Sequence, residues 1–123
     1  MSKIILIPSS LPQEYPDASI STPQRLRILA QVRQYIVHES TIVIDKVPTV
    51  TSQHSTPVKV DIFSVLEGCP SRALVPGTVV NIDAFYDGDT INPVEIYEVN
   101  GANFTPDNLQ LIEEMNNAVG KFD

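Results

Sequence analysis

Four carboxylates crowd one short stretch of this chain. Asp83, Asp87, Asp89 and Glu95 lie within thirteen residues around Gly88. Carboxylates at close spacing are what a hard cation needs. A twelve-residue calcium loop asks for oxygen ligands at positions 1, 3 and 5, glycine at 6 and glutamate at 12. Counted from Asp83, position 3 is Phe85 and position 12 is Val94, so the match fails at two ligand positions. Asp83, Asp87, Asp89 and Glu95 therefore stand only as a weak metal set, and a solvated turn is the default. Nucleophilic chemistry has less to work with. The two histidines, His38 and His54, lie too far apart for a helical zinc pair, and there is no Gly-x-Ser-x-Gly elbow. Cys69 is the single cysteine. Arg72, three residues on, could lower its thiol pKa, but a half-buried filler is the commoner outcome. The five glycines are isolated at turn-like positions, so no phosphate-cradling loop exists. No cofactor is expected.

The elements that must position these residues fit one small domain. The chain has 123 residues, 42% of them hydrophobic and 19% charged, which suits a single domain over 1–123. No apolar run approaches the about 20 residues needed to cross a bilayer, and the start is too short for a signal-peptide core. An intracellular, cytoplasmic or virion setting is the expectation, without secretion. Charge is uneven: residues 1–60 carry six basic against four acidic residues, while 61–123 carry two against eleven, giving −7 overall. Scattered cations under a negative total argue against nucleic acid and against an anionic membrane. The plain reading is a solubilising acidic surface. The sharper one sets the basic half of one subunit against the acidic half of the next, head to tail.

Pattern and punctuation predict an α+β fold: about six mostly antiparallel strands, two helices and a Pro-rich N-terminal arm. Residues 3–7 read as a buried strand. Residues 8–22, with Pro8, Pro12 and Pro16, read as an extended arm. Thr22-Pro23 looks like a cap and first-turn proline, opening a helix over 23–38 whose apolar side holds Leu26, Ile28, Leu29, Val32 and Ile36. Arg25 and Arg33 fall in that apolar sector, and a buried Arg33 would need an acid. A β-rich core follows over 41–99, with a long polar tip at 49–57 and a bulge near Ile62-Phe63. Asp87-Gly88 is the strongest hairpin signal, and Pro93 implies an edge or a bulge in the returning strand. Thr105-Pro106 opens a second predicted helix over 106–119.

Ile82-Asp83-Ala84-Phe85-Tyr86-Asp87-Gly88-Asp89, after Pro76-Gly77-Thr78, resembles the deoxyribose-reading hairpin of trimeric dUTP pyrophosphatases. The resemblance implies a nucleotide hydrolase in which Tyr86 stacks on the sugar and Asp83 orients water. It covers about a dozen residues, and that family's phosphate loop and glycine-rich C-terminal closure have no counterpart here.

Taken together, the residues favour a non-enzymatic structural or assembly subunit acting through homo-oligomeric protein contacts, as in an accessory component of a virion or tail-like particle. Pro12, Tyr15, Pro16, Arg25 and Arg33 are the interface candidates. Nucleotide hydrolysis at 82–89 is one alternative. A small monomeric binding module, with a ligand held near Arg33, is the other.

Overall fold

The computed structural model describes residues 3–48, 50 and 55–99. Six strands form one sheet: β1 (Lys3–Ile5), β2 (Gln24–Ile36), β3 (Thr41–Asp45), β4 (Val58–Asp61), β5 (Val79–Tyr86) and β6 (Ile91–Glu98). Their order is β4-β3-β2-β5-β6. All these neighbours are antiparallel, while β1 pairs in parallel with β2. The expected six-stranded, mostly antiparallel α+β fold is therefore present. Among the described residues its helical content is one short helix, α1 (Leu11–Glu14), plus 3-10 turns at Pro8–Ser10, Val37–Glu39, Phe63–Gly68 and Ser71–Leu74.

The predicted helix over 23–38 is instead β2, the longest strand. Leu26, Ile28, Ala30 and Val32 are completely buried, while Arg27 among them and Arg25 and Arg33 on either side are exposed. That alternation of period two is a strand pattern. Leu29 breaks it only in appearance. It points outward but is buried by Leu6, Val47 and Val50, a second apolar cluster on the outside of the sheet. Nor does Thr22 cap a helix. Its hydroxyl lies 2.8 Å from that of Ser19, and the two residues exchange backbone hydrogen bonds, closing a turn before the strand. Arg33 sits at a register shift between Val32 and Gln34, and its guanidinium donates to the Lys46 carbonyl at 3.3 Å. It needs no buried acid.

The Pro-rich segment is no projecting arm. Pro8 and Leu11 are buried, and Tyr15 and Ala18 pack against the main core. Residues 8–18 thus cover the core. The described part of the 49–57 tip also turns inward. Val50 is buried, Ser55 bonds to the Asp45 carboxylate, and the Thr56 amide donates to Ser9 Oγ at 3.2 Å. No bulge occurs at Ile62-Phe63, where the chain leaves the sheet in a 3-10 turn. The strand irregularity lies farther on: Asp83 faces Glu95 while Ala84 faces Pro93, leaving Val94 as the extra residue. Pro93 thus sits at both an edge and a bulge. The second predicted helix, 106–119, lies outside the described residues.

β4 and β6, the two ends of the sheet order, approach each other without pairing. The five strands β2–β6 therefore make a partly open barrel around Leu26, Ile28, Ile42, Ile44, Val60, Val80 and Ile82. Five antiparallel strands closed in this way have the OB-fold architecture.

Candidate functional site

The open seam between β4 and β6 forms a cleft of about 710 Å³. Val58, Lys59 and Asp61 line one bank, and Ile91, Asn92 and Pro93 line the other. The segment from Pro8 to Pro12 closes one side, and Phe63 and Ser64 another. Phe63 begins a 3-10 turn one residue beyond the strand, after the buried Ile62, and its ring is 74% exposed. In OB-folds the ordinary ligand surface is the face of the second and third barrel strands with two flanking loops, here β3 and β4, so the seam borders that face rather than coinciding with it. The charge of the seam is one lysine, Lys59, against Asp61 and Asp89. The Asp61 carboxylate also accepts the Phe63 amide at 2.9 Å, fixing the turn that presents the ring.

The β5–β6 turn beside the seam is built by Asp87. Its carboxylate accepts the Thr90 amide at 2.7 Å, the Asp89 amide at 3.0 Å and the Thr90 hydroxyl at 2.9 Å. The Asn92 amide also donates to it, at 3.3 Å. The backbone N–H of Thr90 first, then that of Asp89 and the Thr90 hydroxyl, lower the Asp87 pKa to about 2. The sign for stability follows. A carboxyl with a depressed native pKa contributes stability above its unfolded value of about 3.9, and that contribution disappears as pH falls toward 2. Asp87→Asn is therefore expected to flatten the acid limb of the stability profile between about pH 4 and 2. Thermal melts of both proteins from pH 2 to 6 measure this; parallel profiles would contradict it.

The pair implied by the hydrolase resemblance is not assembled. Asp83 and Tyr86 are three residues apart on one strand, so they face opposite sides of the sheet. Tyr86 points inward, 3% exposed, and its hydroxyl donates to the Gly88 carbonyl at 3.0 Å. Burial, then the charges of Asp87 and Asp89, push its pKa up. Asp83 points outward into a polar ladder. Its Oδ1 accepts the Asn81 amide at 3.0 Å and lies 3.4 Å from Arg27 Nε. Arg27 also donates to Asn81 Oδ1 at 3.2 Å and to the Tyr97 hydroxyl at 3.0 Å.

The weak metal set is equally dispersed. Asp83 and Glu95 are cross-strand partners on the outer face, Asp87 is folded onto its own turn, and Asp89 faces the seam. Among the described residues, no three His, Cys, Asp or Glu side chains are placed to share an ion. Cys69 is half-buried, and burial raises its thiol pKa, against the lowering that Arg72 suggested. His38 is exposed beside Glu39, and His54 lies outside the described residues.

The five interface candidates do not share one surface. Pro12 lines the seam, Tyr15 packs on the core, and Pro16 is exposed beyond α1. Arg25 and Arg33 are eight residues apart on β2, about 26 Å at strand rise. Arg25 lies opposite Phe85, which in turn faces Asn92. Phe85 is 38% exposed, so guanidinium and ring share an accessible row. The residues that the sequence reading passed over are Phe63 and Phe85. The signal for Phe85 was its parity with Asp83, which puts both on the solvent side.

A chain of the crystal structure of the S. pombe Stn1-ten1 complex is similar to this one, with a TM-score of 0.66 and 19% identity. The similarity covers 95% of this chain and 93% of that one. No curated protein sequence matches the present chain. A family model described as "Ten1: Telomere capping, CST complex subunit" matches residues 1–112. That match overturns several expectations. A CST complex subunit is neither a homo-oligomeric virion or tail component nor a solitary monomeric binding module. A telomere is a nucleic-acid end, so nucleic acid cannot be struck from the partners of the assembly, and capping places the work in the nucleus rather than in the cytoplasm or a virion. The overall charge of −7 misled because it speaks for one chain and not for a complex. With the match running across residues 1–112 of 123, the chain belongs to the Ten1 family of telomere-capping CST complex subunits.

Proposed function

We propose that this chain is a protein-binding barrel that joins a Stn1-like partner in a heteromeric telomere-capping complex, and that it works by contact rather than by catalysis. The family match over residues 1–112 carries the reading. The side chains support it. Asp83 and Tyr86, the only pair nominated for bond chemistry, are committed to the Arg27–Asn81 ladder and to the Gly88 carbonyl. Arg25 and Phe85, opposite each other on the outer face of β2 and β5, are the partner contact this reading favours. Arginine and aromatic side chains supply much of the energy of protein interfaces.

Co-expression with the Stn1 protein of the same source tests this. The expected result is a co-purifying heteromer whose mass by light scattering is the sum of the two chains. In Arg25→Glu its dissociation constant should rise at least tenfold. Failure to co-purify, or a self-assembled particle of this chain alone, would overturn the reading.

A further inference from the structure

We infer that Thr22 is a phosphorylation site for a proline-directed protein kinase, and that its phosphate weakens the partner contact made by Arg25. The second half rests on the heteromer proposed above; the first does not.

Thr22-Pro23 caps no helix, so the fold leaves its chemistry unused. The run Thr22-Pro23-Gln24-Arg25 sets a proline directly after a hydroxyl and a guanidinium three residues on. Proline-directed kinases read both features. Proline has no N–H, so it suits a pocket that offers an amide no acceptor, and an anionic site takes the base. Thr56-Pro57-Val58-Lys59 carries the same pattern, so the sequence alone nominates two acceptors.

The structure separates them. Ile20, Ser21, Thr22 and Pro23 are all exposed. The bonds that hold Thr22 are local and lie at the surface. Its backbone exchanges hydrogen bonds with Ser19, the two hydroxyls lie 2.8 Å apart, and its own hydroxyl donates to the Asp17 carbonyl at 3.4 Å. A kinase takes its substrate extended, and a turn closed by a few exposed bonds opens at low cost. Gln24 and Arg25 are already extended as the start of β2. Thr56 is tied to distant parts of the chain instead. Its amide donates to Ser9 Oγ, its neighbour Ser55 holds the Asp45 carboxylate, and Thr56 itself lines the seam. Stretching that segment detaches it from two other parts of the fold. Thr22 is therefore the acceptor.

In the reaction the bond between the γ-phosphorus and the bridging oxygen of a nucleoside triphosphate breaks. A bond from that phosphorus to Thr22 Oγ1 forms, the hydroxyl proton passes to the kinase's base, and the nucleoside diphosphate leaves. The new group carries about −1.5 to −2 charges near neutral pH. It stands three residues from Arg25, at most about 10 Å along extended chain, and charges at such range still interact at physiological salt, where screening sets in over about 8 Å. Guanidinium is also the matching fork for phosphate oxygens. The phosphate thus draws Arg25 from the row it shares with Phe85 and reverses the charge the partner meets there.

The folded full chain, incubated with a purified cyclin-dependent kinase and ATP and mapped by mass spectrometry, tests the site. One phosphate is expected, on Thr22, with Thr56 unmodified, whereas synthetic peptides of the two runs should both be modified. Arg25→Ala should slow the reaction at least threefold and Arg25→Lys should restore it. The chain isolated from its own source should yield the same phosphopeptide. No incorporation, preference for Thr56 in the folded chain, or a source chain unmodified at Thr22 overturns the site. Thermal melts should show the phosphorylated chain still folded. Its dissociation constant for the Stn1 protein should be at least threefold above that of the unmodified chain, with the gap closing as salt rises. An unchanged affinity, or a gap indifferent to salt, overturns the second half while the heteromer stands. If the unmodified chain does not bind Stn1, the second half falls with that reading, and the phosphopeptide map still decides the first.

Discussion

Ile28→Ala is expected to lower the unfolding midpoint by roughly 8–20 °C. The side chain is completely buried, and in register it lies between Ile5 of β1 and Ile82 of β5, both buried themselves. β2 is held by strands on both edges, so the backbone cannot collapse into the space left behind. Truncating a buried isoleucine costs about 2–5 kcal/mol through lost burial plus the residual cavity. A domain of this size loses about 4 °C per kcal/mol. Arg27→Ala, one residue away, supplies the contrast. Its guanidinium is half-exposed in the ladder with Asn81, Asp83 and Tyr97, so its loss is expected to cost less than about 1 kcal/mol. Thermal melts followed by circular dichroism measure both. Similar losses at Ile28 and Arg27 would contradict an alternating strand.

Gly88→Ala is the second large effect, and its cause is contact as much as conformation. Gly88 has φ +94°, a region that disfavours any side chain by about 1–2 kcal/mol. A Cβ there would also overlap the carbonyl oxygen of Ala18 and lie 3.1 Å from the carbonyl carbon. Those are backbone atoms of the segment covering the core, so no side-chain rotation relieves the overlap. Overpacking of that kind adds about 1–3 kcal/mol, for a total of about 2–5 kcal/mol. Gly77 isolates the contact, because it has the same φ of +94° with nothing within 4 Å of its Cβ position. Gly77→Ala should show the conformational cost alone. Equal denaturant midpoints for the two variants would mean that the chain at Ala18 yields freely.

The two glycines also show which parts of the fold were readable from the chain. Asp87-Gly88 between alternating segments specifies a hairpin by turn chemistry, and β5 and β6 are joined there. Pro93 lacks an amide donor, and it occupies the edge and bulge that this defect requires. β2 was misread because two local signals disagreed. Thr22-Pro23 and a broad apolar sector suited a helix, while Leu26, Ile28, Ala30 and Val32 kept strict parity. Leu29 decided the error. It is an apolar residue on the outer parity, and only the cover of Leu6, Val47 and Val50 explains it. Nothing near residue 29 announces that cover. The seam was hidden for a related reason. Pro8–Pro12, Val58–Ser64 and Tyr86–Pro93 meet only through barrel closure, so no spacing along the chain marks them as one surface. The acidic cluster at 83–95 showed the opposite failure. Its residues are near in sequence, yet only Asp83 and Glu95 lie on strands, paired on the outer face, while Asp87 is tied to its own turn and Asp89 lines the seam.

The central place of β2 has a consequence for synthesis. That strand is complete once Ile36 has been made, but the partner along its other edge, β5, ends only at Tyr86. At translation rates of about 5–20 residues per second, fifty residues take roughly 3–10 s. For that interval a nascent chain bearing a thirteen-residue amphipathic strand waits with one edge unmatched, open to holding factors or to misassociation. Ribosome-bound intermediates stalled between residues 40 and 80 are where chaperone dependence should concentrate.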